Sequence, residues 1–444
     1  MIPSDLSHYY ATHLFHRVNQ IHQALTDCVF EQLVIDTGVS HRRFLDDTHY
    51  PFWLNPWAAR LAPLKSFAES FIVIQSGAVK PKLLVYQPND VWHGATLMDC
   101  PEVLQHFQVY TYAERAQILR ALPDHKQVAY VGERTDLLAQ AAINPSDLLN
   151  HLDYLQAAKT DYEIACMERA NVLAAAGHKR VAELFWDGAN EINMHLAYLQ
   201  ATESCENDLP YGNIIACNQH AAILHYTERD RSGKQPRNLL IDAGATYGGF
   251  CADISRSYCR DENSLFANLI RAMDTLQLEL ISQIKPGMNY VDLHKLAHIA
   301  IGKLLIEAEI IQSDLEQALD HQLVNVFFPH GLGHLLGAQV HDVGGLLANE
   351  RGRQAPPPEQ HPHLRLTRNI EANQVFTIEP GLYFIEQLLN KAHEEGLGKF
   401  INQPLVEELM PYGGIRIEDN VRVTAEGVDN LTRRAFDPAG FEAD

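Results

Sequence analysis

Residues 239–258 read LLIDAGATYGGFCADISRSY, and the two aspartates in that stretch decide how the rest of the chain is read. Asp242 closes a β-type run, Asn238–Asp242, just before Ala-Gly, and Asp253 follows eleven residues on in a second β-like run. The Tyr-Gly-Gly between them is a turn signal, so the pair is expected to form a hairpin with both carboxylates in one region. Alone, such a pair is more often a pair of turn-forming or capping aspartates.

Three later runs answer it. His330-Gly-Leu-Gly-His334 is followed by His341, and its glycines permit tight backbone paths beside an ion or substrate. Those glycines disfavour a regular helix, so the three histidines divide best into one ligand and two acid/base or hydrogen-bonding neighbours. A glycine-rich turn with incidental histidines is the plainer reading. In FTIEPGLYF (376–384), Glu379 projects at the end of a β-like run. In GGIRIEDN (413–420), alternation puts Arg416 and Glu418 on one face, either as a surface ion pair or with Arg416 orienting a metal-bound carboxylate. Asp242, Asp253, His334, Glu379 and Glu418 form a mostly hard-oxygen donor set that favours Mn²⁺, Mg²⁺ or Co²⁺ over sulfur-ligated structural zinc. Five ligands exceed what one catalytic ion needs and suit a two-metal hydrolytic centre.

The 444 residues are enough for two domains or one large one, and 46% hydrophobic with 20% charged residues describes a globular chain. A net charge of −21 opposes general nucleic-acid or anionic-membrane binding. Seven cysteines without CxxC spacing suggest free thiols in a reducing compartment. No signal-peptide pattern and no apolar run of spanning length is read, so a soluble, cytoplasmic protein is expected. An amphipathic helix is predicted over 4–26, then strands at Gln32–Asp36, Phe71–Gln75, Lys82–Tyr86 and Val128–Gly132, with helical character over Tyr112–Leu122. FLDDTHYPFWLNPWAARL (44–61) is either core packing or a binding lip. Helices are predicted over Thr160–Trp186, Asn190–Thr202, Glu262–Ile284 and Tyr290–Ile311, and strands at Asn213–Cys217 and Ala222–Tyr226. An α/β domain over 1–157 and a second domain over 158–444 are expected, with an extended proline-rich loop at Gln354–His363.

The order Asp, Asp, His, Glu, Glu resembles the metallopeptidases of the pita-bread fold, which include methionine aminopeptidase, aminopeptidase P, prolidase and creatinase. The extra N-terminal domain, FLDDTHYPF, PYGNIIACNQHAAILHY and HLRLTRNIEANQVFTIEPGLYF are most similar to the prolidase branch, including its organophosphorus acid anhydrolase type. The resemblance implies an α+β pita-bread catalytic domain behind a creatinase-like α/β domain. It also implies two divalent ions, Mn²⁺ or alternatively Co²⁺, activating a hydroxide that attacks Xaa-Pro dipeptides, with hydrolysis of organophosphorus esters as a side activity. Asp253 and Glu418 would bridge the ions, Asp242 would complete one shell, and His334 and Glu379 the other. Glu379 would also shuttle the proton, His225 and His341 would stabilise the oxyanion, and His330 would line the proline pocket. Arg365 would clamp the terminal carboxylate, with Arg416 and Tyr211 in support. A homodimer partner's N-terminal domain would narrow the entrance through Asp46 or Asp47 with Trp92.

Aminopeptidase P shares the ligands and is the nearest rival; the loop 356–368 and Arg365 favour the dipeptidase. Creatinase chemistry dispenses with the metals, whereas every ligand is present here. Pita-bread proteins that lost their metals and bind partners, chromatin proteins among them, are disfavoured by the same intact set.

Overall fold

The apolar stripe near the N-terminus folds as the helix Ser7–Asp27, which buries Tyr10, Leu14, Val18, Ile21 and Leu25. The structure, a computed structural model, describes residues 6–64, 67–89, 91 and 100–437. Its backbone separates into two compact units. One comprises Met1–Cys166 with Gly248–Phe250 and Asn349–Gln354; the other comprises Met167–Tyr247, Cys251–Ala348 and Ala355–Asp444.

In the first unit six strands, β1 (Gln32–Asp36), β2 (Phe71–Gln75), β3 (Lys82–Tyr86), β4 (Gln108–Tyr112), β5 (Val128–Val131) and β6 (Ala142–Ile143), form one mixed sheet in the order β4-β3-β2-β1-β5-β6. β1 pairs antiparallel with β2 and parallel with β5, and its Leu33, Val34 and Ile35 are fully buried, as befits a central strand. Within Tyr112–Leu122, expected to be helical, Arg115–Arg120 forms a helix, while Gln108–Tyr112 is an edge strand that was not read from the sequence. The alternation in QVYTY is half-exposed, and such short amphipathic runs do not separate strand from helix by themselves.

A capping box, Thr160-Asp161-Tyr162-Glu163, opens the long helix Asp161–Asp187. The Thr160 amide donates to Glu163 Oε2 at 2.8 Å, and the Glu163 amide donates to Thr160 Oγ1 at 3.4 Å. Glu163 also accepts from Arg17 Nε at 3.1 Å, while His13 Nδ1 lies 2.8 Å from Thr160 Oγ1. Burial would raise the Glu163 carboxyl, but the charges of Arg17 and His13 outweigh it and hold the group at about 2. Burial pushes His13 the other way, down to about 4.

The second unit carries the predicted helices, now bounded as Glu191–Ala201, Leu265–Ser282 and Tyr290–Glu307, with side chains of Asn190, Ser264 and Asn289 capping their N-termini. Three strands, Ile214–Cys217, Asn238–Asp242 and Ser255–Cys259, form an antiparallel sheet with Asn238–Asp242 in the middle. Val181, Phe185, Met194 and Tyr198 pack against its Ile215, Leu239 and Ile241. A second sheet joins Val375–Ile378, Asp419–Val423 and Val428–Asn430, and Gly381–Tyr383 pairs with Gly414–Arg416. Two expectations are corrected. Ala222–Tyr226 is no strand, because Asn218–Ala222 turns as a 3-10 helix and the chain leaves through bends. Asp253 lies just outside its strand, which begins at Ser255, so it belongs to the link and not to the ladder.

Candidate metal centre

Asp242 is the last residue of the central strand, and Ser255 is its cross-strand partner. Asp253 therefore arrives two residues before that register point, in a segment free to turn its carboxylate toward Asp242. A side chain at Gly244 would collide with the Ala252 carbonyl, which is why the link can close so tightly. Asn420 clamps the link from the second sheet: the Asp253 amide donates to Asn420 Oδ1 at 3.0 Å, and the Asn420 side-chain amide donates back to the Asp253 carbonyl.

His334 comes from a loop laid along Val375–Ile378. Its amide donates to Thr377 Oγ1 at 3.1 Å, and the Thr377 amide donates to the His334 carbonyl at 3.0 Å. Gly333 sits so close to this strand that a Cβ would strike the Thr377 carbonyl and the Tyr290 hydroxyl. Glu379 follows at the strand end, where its amide donates to the Leu332 carbonyl at 2.8 Å. Glu418 enters through an isolated bridge to Ser255 and accepts from Ser255 Oγ at 2.8 Å.

These elements bring the five residues together. His334 Nε2 is 3.4 Å from Asp253 Oδ2 and 3.6 Å from Glu379 Oε1, and the donor atoms of Asp253, His334 and Glu418 lie within 4.8 Å of one another. The Tyr211 hydroxyl sits 2.7 Å from Asp242 Oδ1 and 2.5 Å from Asp253 Oδ1. It has one proton to offer two carboxylates. Arg416 donates to Asp242 Oδ2 at 2.6 Å, to the Tyr383 hydroxyl at 2.7 Å and to Ser255 Oγ at 3.0 Å.

The charges do not balance without cations. Burial and the neighbouring Asp253, Glu379 and Asp242 carboxylates drive Glu418 well above the ordinary carboxylate range, and burial raises Glu379 despite His334 and Arg416. Burial also raises Asp242 against the pull of Arg416, while Asp253 is held low, burial notwithstanding, by its hydrogen bond to His334. Three buried acids and the half-buried Glu379, sharing one guanidinium and one imidazole, form a site that suits divalent cations, since each cation favours the charged carboxylates that crowding disfavours. The oxygen-rich donors and the carboxylates within reach of one another fit a two-metal centre.

The surrounding histidines are placed unequally. His330 Nε2 lies 2.9 Å from the Tyr383 hydroxyl and Nδ1 lies 3.7 Å from Glu379 Oε2; burial and Arg416 push its pKa down to about 3. The His341 ring stands edge-on to His334 with centroids 4.5 Å apart, and burial, His334 and Arg365 lower it to about 4. His225 and Arg365 are exposed, yet both depress His341 and so lie within its electrostatic reach. In the first unit, Asp46 is exposed in a turn where the Thr48 amide and hydroxyl donate to it at 3.1 and 2.8 Å. Trp92 lies outside the described residues. Sequence reasoning missed Tyr383, Ser255, Thr377 and Asn420. All four stand within four residues of a candidate ligand in the same motif, which was the available signal.

Small antiparallel sheets that converge acids and a histidine, without sulfur, define the pita-bread class of metallopeptidase. The profile of "Metallopeptidase family M24" matches residues 165–425, and that of "Xaa-Pro dipeptidase, N-terminal domain" matches residues 8–154. The Xaa-Pro dipeptidase of Shewanella loihica is 44% identical over 408 residues, covering 90% of this chain and 92% of its own. That of Pseudoalteromonas translucida is 43% identical, covering 91% and 92%. Aminopeptidase P from E. coli with the inhibitor Pro-Leu superposes with a TM-score of 0.71 at 22% identity over 94% of each chain, a likeness of fold. The chain belongs to the Xaa-Pro dipeptidase group of metallopeptidase family M24.

Proposed function

We propose that the chain hydrolyses Xaa-Pro dipeptides at a centre in which Asp242, Asp253, His334, Glu379 and Glu418 hold two divalent cations. The observation that carries this reading is the crowding of the Asp253, Glu379 and Glu418 carboxylates around the buried His334 in a chain 44% identical to an Xaa-Pro dipeptidase. Bound there, the cations supply Lewis-acid activation of a water molecule and offset the carboxylate charge. Asp253 and Glu418 would be shared by the two ions, with Asp242 serving one and His334 and Glu379 serving the other. Mn²⁺ suits the hard oxygen donors, with Co²⁺ as the alternative.

The remaining residues bind, orient and move protons. Glu379 takes the proton from the attacking water and returns it to the proline nitrogen as the bond breaks. His341 and His225 donate to the carbonyl oxygen as it gains charge. His330, kept neutral by burial, lines the proline pocket beside Tyr383. Arg365 pairs with the free carboxylate of the dipeptide, for which a planar guanidinium is suited. Arg416 and Tyr211 fix Asp242 and Asp253 in place. Proline brings no N–H to the scissile bond, so recognition falls to its ring and the carbonyl on the other side. A homodimer, with Asp46 narrowing the opposite subunit's entrance, and a cytoplasmic location complete the proposal. Seven cysteines without CxxC spacing suit a reducing compartment, and no described helix is long and apolar enough to cross a membrane.

Chelator-stripped enzyme reloaded with Mn²⁺ should cleave Leu-Pro and Ala-Pro, and spare an Xaa-Pro-Xaa tripeptide and a dipeptide lacking proline. Release of the tripeptide's first residue would transfer the assignment to aminopeptidase P. No turnover with any peptide or metal would reject the substrate class.

A further inference from the structure

His294 and His298 stand one helical turn apart on the buried face of the helix Tyr290–Glu307, between the core residues Tyr290, Leu293, Ala297 and Ile301. His361 reaches them from the proline-rich loop. The three imidazoles are mutual neighbours, with centroids 4.5 Å apart for His294 and His298, and 4.4 Å from His361 to each of the others. One donor nitrogen from each lies within 4.8 Å of the other two. Both nitrogens of His294 and Nε2 of His298 are buried with no hydrogen-bond partner, on side chains exposed by 0% and 5%. Buried imidazoles normally satisfy their nitrogens, and a satisfied core histidine would show a carbonyl or hydroxyl within reach. Phe328, which packs on both helix histidines, supplies neither.

We propose that His294, His298 and His361 form a further metal site, distinct from the carboxylate centre, that takes a borderline-soft divalent ion such as Zn²⁺. Three neutral imidazoles without a carboxylate suit zinc, copper or nickel more than manganese or magnesium. An i, i+4 histidine pair on one helix face with a third ligand from elsewhere leaves one position of a tetrahedron for water. Metal–nitrogen bonds of about 2.0–2.1 Å need donors about 3.3 Å apart, and the half-buried His361, on a turn, is the side chain able to close that gap. Burial and the mutual proximity of the three rings already hold His294 and His298 deprotonated, at about 2 and about 3, which leaves lone pairs available to an ion at neutral pH. An ion there ties the turn around His361, closed by the Leu364 amide donating to the His361 carbonyl at 3.1 Å, to the helix.

The test uses the full-length protein, stripped by chelator and refilled with Co²⁺, whose visible absorption reports coordination. Wild type should bind about one more Co²⁺ per chain than His361→Ala, and should show four-coordinate, nitrogen-ligated bands that His361→Ala lacks. Asp253→Asn, which damages the carboxylate centre, should retain those bands. Equal uptake and identical spectra in wild type and His361→Ala would overturn the proposal. If His361→Ala does not fold, hydrogen exchange on the wild type replaces it. Co²⁺ should then slow exchange in residues 358–364, and an unchanged rate there would equally reject the site.

Discussion

Replacing Arg416 with methionine isolates the electrostatic role of one guanidinium. The side chain is buried and makes hydrogen bonds of 2.6–3.0 Å to Asp242, Tyr383 and Ser255, so the guanidinium reaches Asp242 directly and Glu418 through the Ser255 hydroxyl. Methionine keeps most of the reach and none of the charge. Removing one partner of a buried ion pair costs about 3–5 kcal/mol, much of it the penalty of the charge left behind. Asp242, at 8% exposure and sharing the Tyr211 hydroxyl with Asp253, is poorly placed to recover hydration. Chemical denaturation of metal-stripped protein, followed by far-UV circular dichroism, should show a deficit in that range against wild type. Saturating Mn²⁺ should shrink the deficit, because the cations replace part of the lost positive charge. Arg416→Lys should fall between, since an ammonium carries the charge without the fork that reaches three partners. A stripped Arg416→Met protein within about 0.5 kcal/mol of wild type, a change typical of an unimportant surface position, would refute the reasoning. So would a deficit indifferent to Mn²⁺.

Arg365→Ala should raise KM for Xaa-Pro dipeptides by roughly 10- to 150-fold, the equivalent of a lost charge-assisted hydrogen bond of about 1.5–3 kcal/mol. Steady-state kinetics should show kcat little changed, and a dipeptide amide should lose nothing further. Gly333→Ala should abolish turnover and lower stability by about 1–3 kcal/mol, because the added methyl meets the backbone of Val375–Ile378 with no room to yield. Activity and thermal unfolding measured on one preparation check this. In the first unit, His13 titrates at about 4 when folded against an ordinary 6.5, so the unfolded chain binds the extra proton between those values. Its contribution is complete above about pH 6.5 and is lost as pH falls to about 4. Glu163, depressed from 4.5 to about 2, extends the loss below pH 4.5. Hydrogen exchange in the helix Ser7–Asp27 should accelerate over that window in wild type and respond less in His13→Gln; an identical pH response would discount the pair.

Much of the metal centre was legible because ligand chemistry is a property of residue type and local backbone. Aspartate after an apolar run, histidine among glycines and glutamate before Pro-Gly announce themselves within a few residues. The helix caps at Asn190, Ser264 and Asn289 are equally local. Errors arose where local pattern is degenerate. Ala222–Tyr226 has strand composition but begins within a 3-10 turn, and the strand Gln108–Tyr112, half-exposed at a sheet edge, was missed.

Sequence alone therefore supplied the candidate donors, the order of the motifs and the family whose chemistry they suggest. Only tertiary structure decided which groups bind those donors. Asn420 clamps Asp253 across 167 residues, Ser255 joins Glu418 to Arg416 across more than 160, and Tyr211 divides one proton between two acids. Likewise His294 and His298 read as two polar residues on a helix until His361 arrives from another segment to make three donors converge. Periodicity records which face of an element is buried, but not which distant side chain will meet it there. That depends on how sheets and loops pack, a pairing that no short stretch of chain encodes by itself.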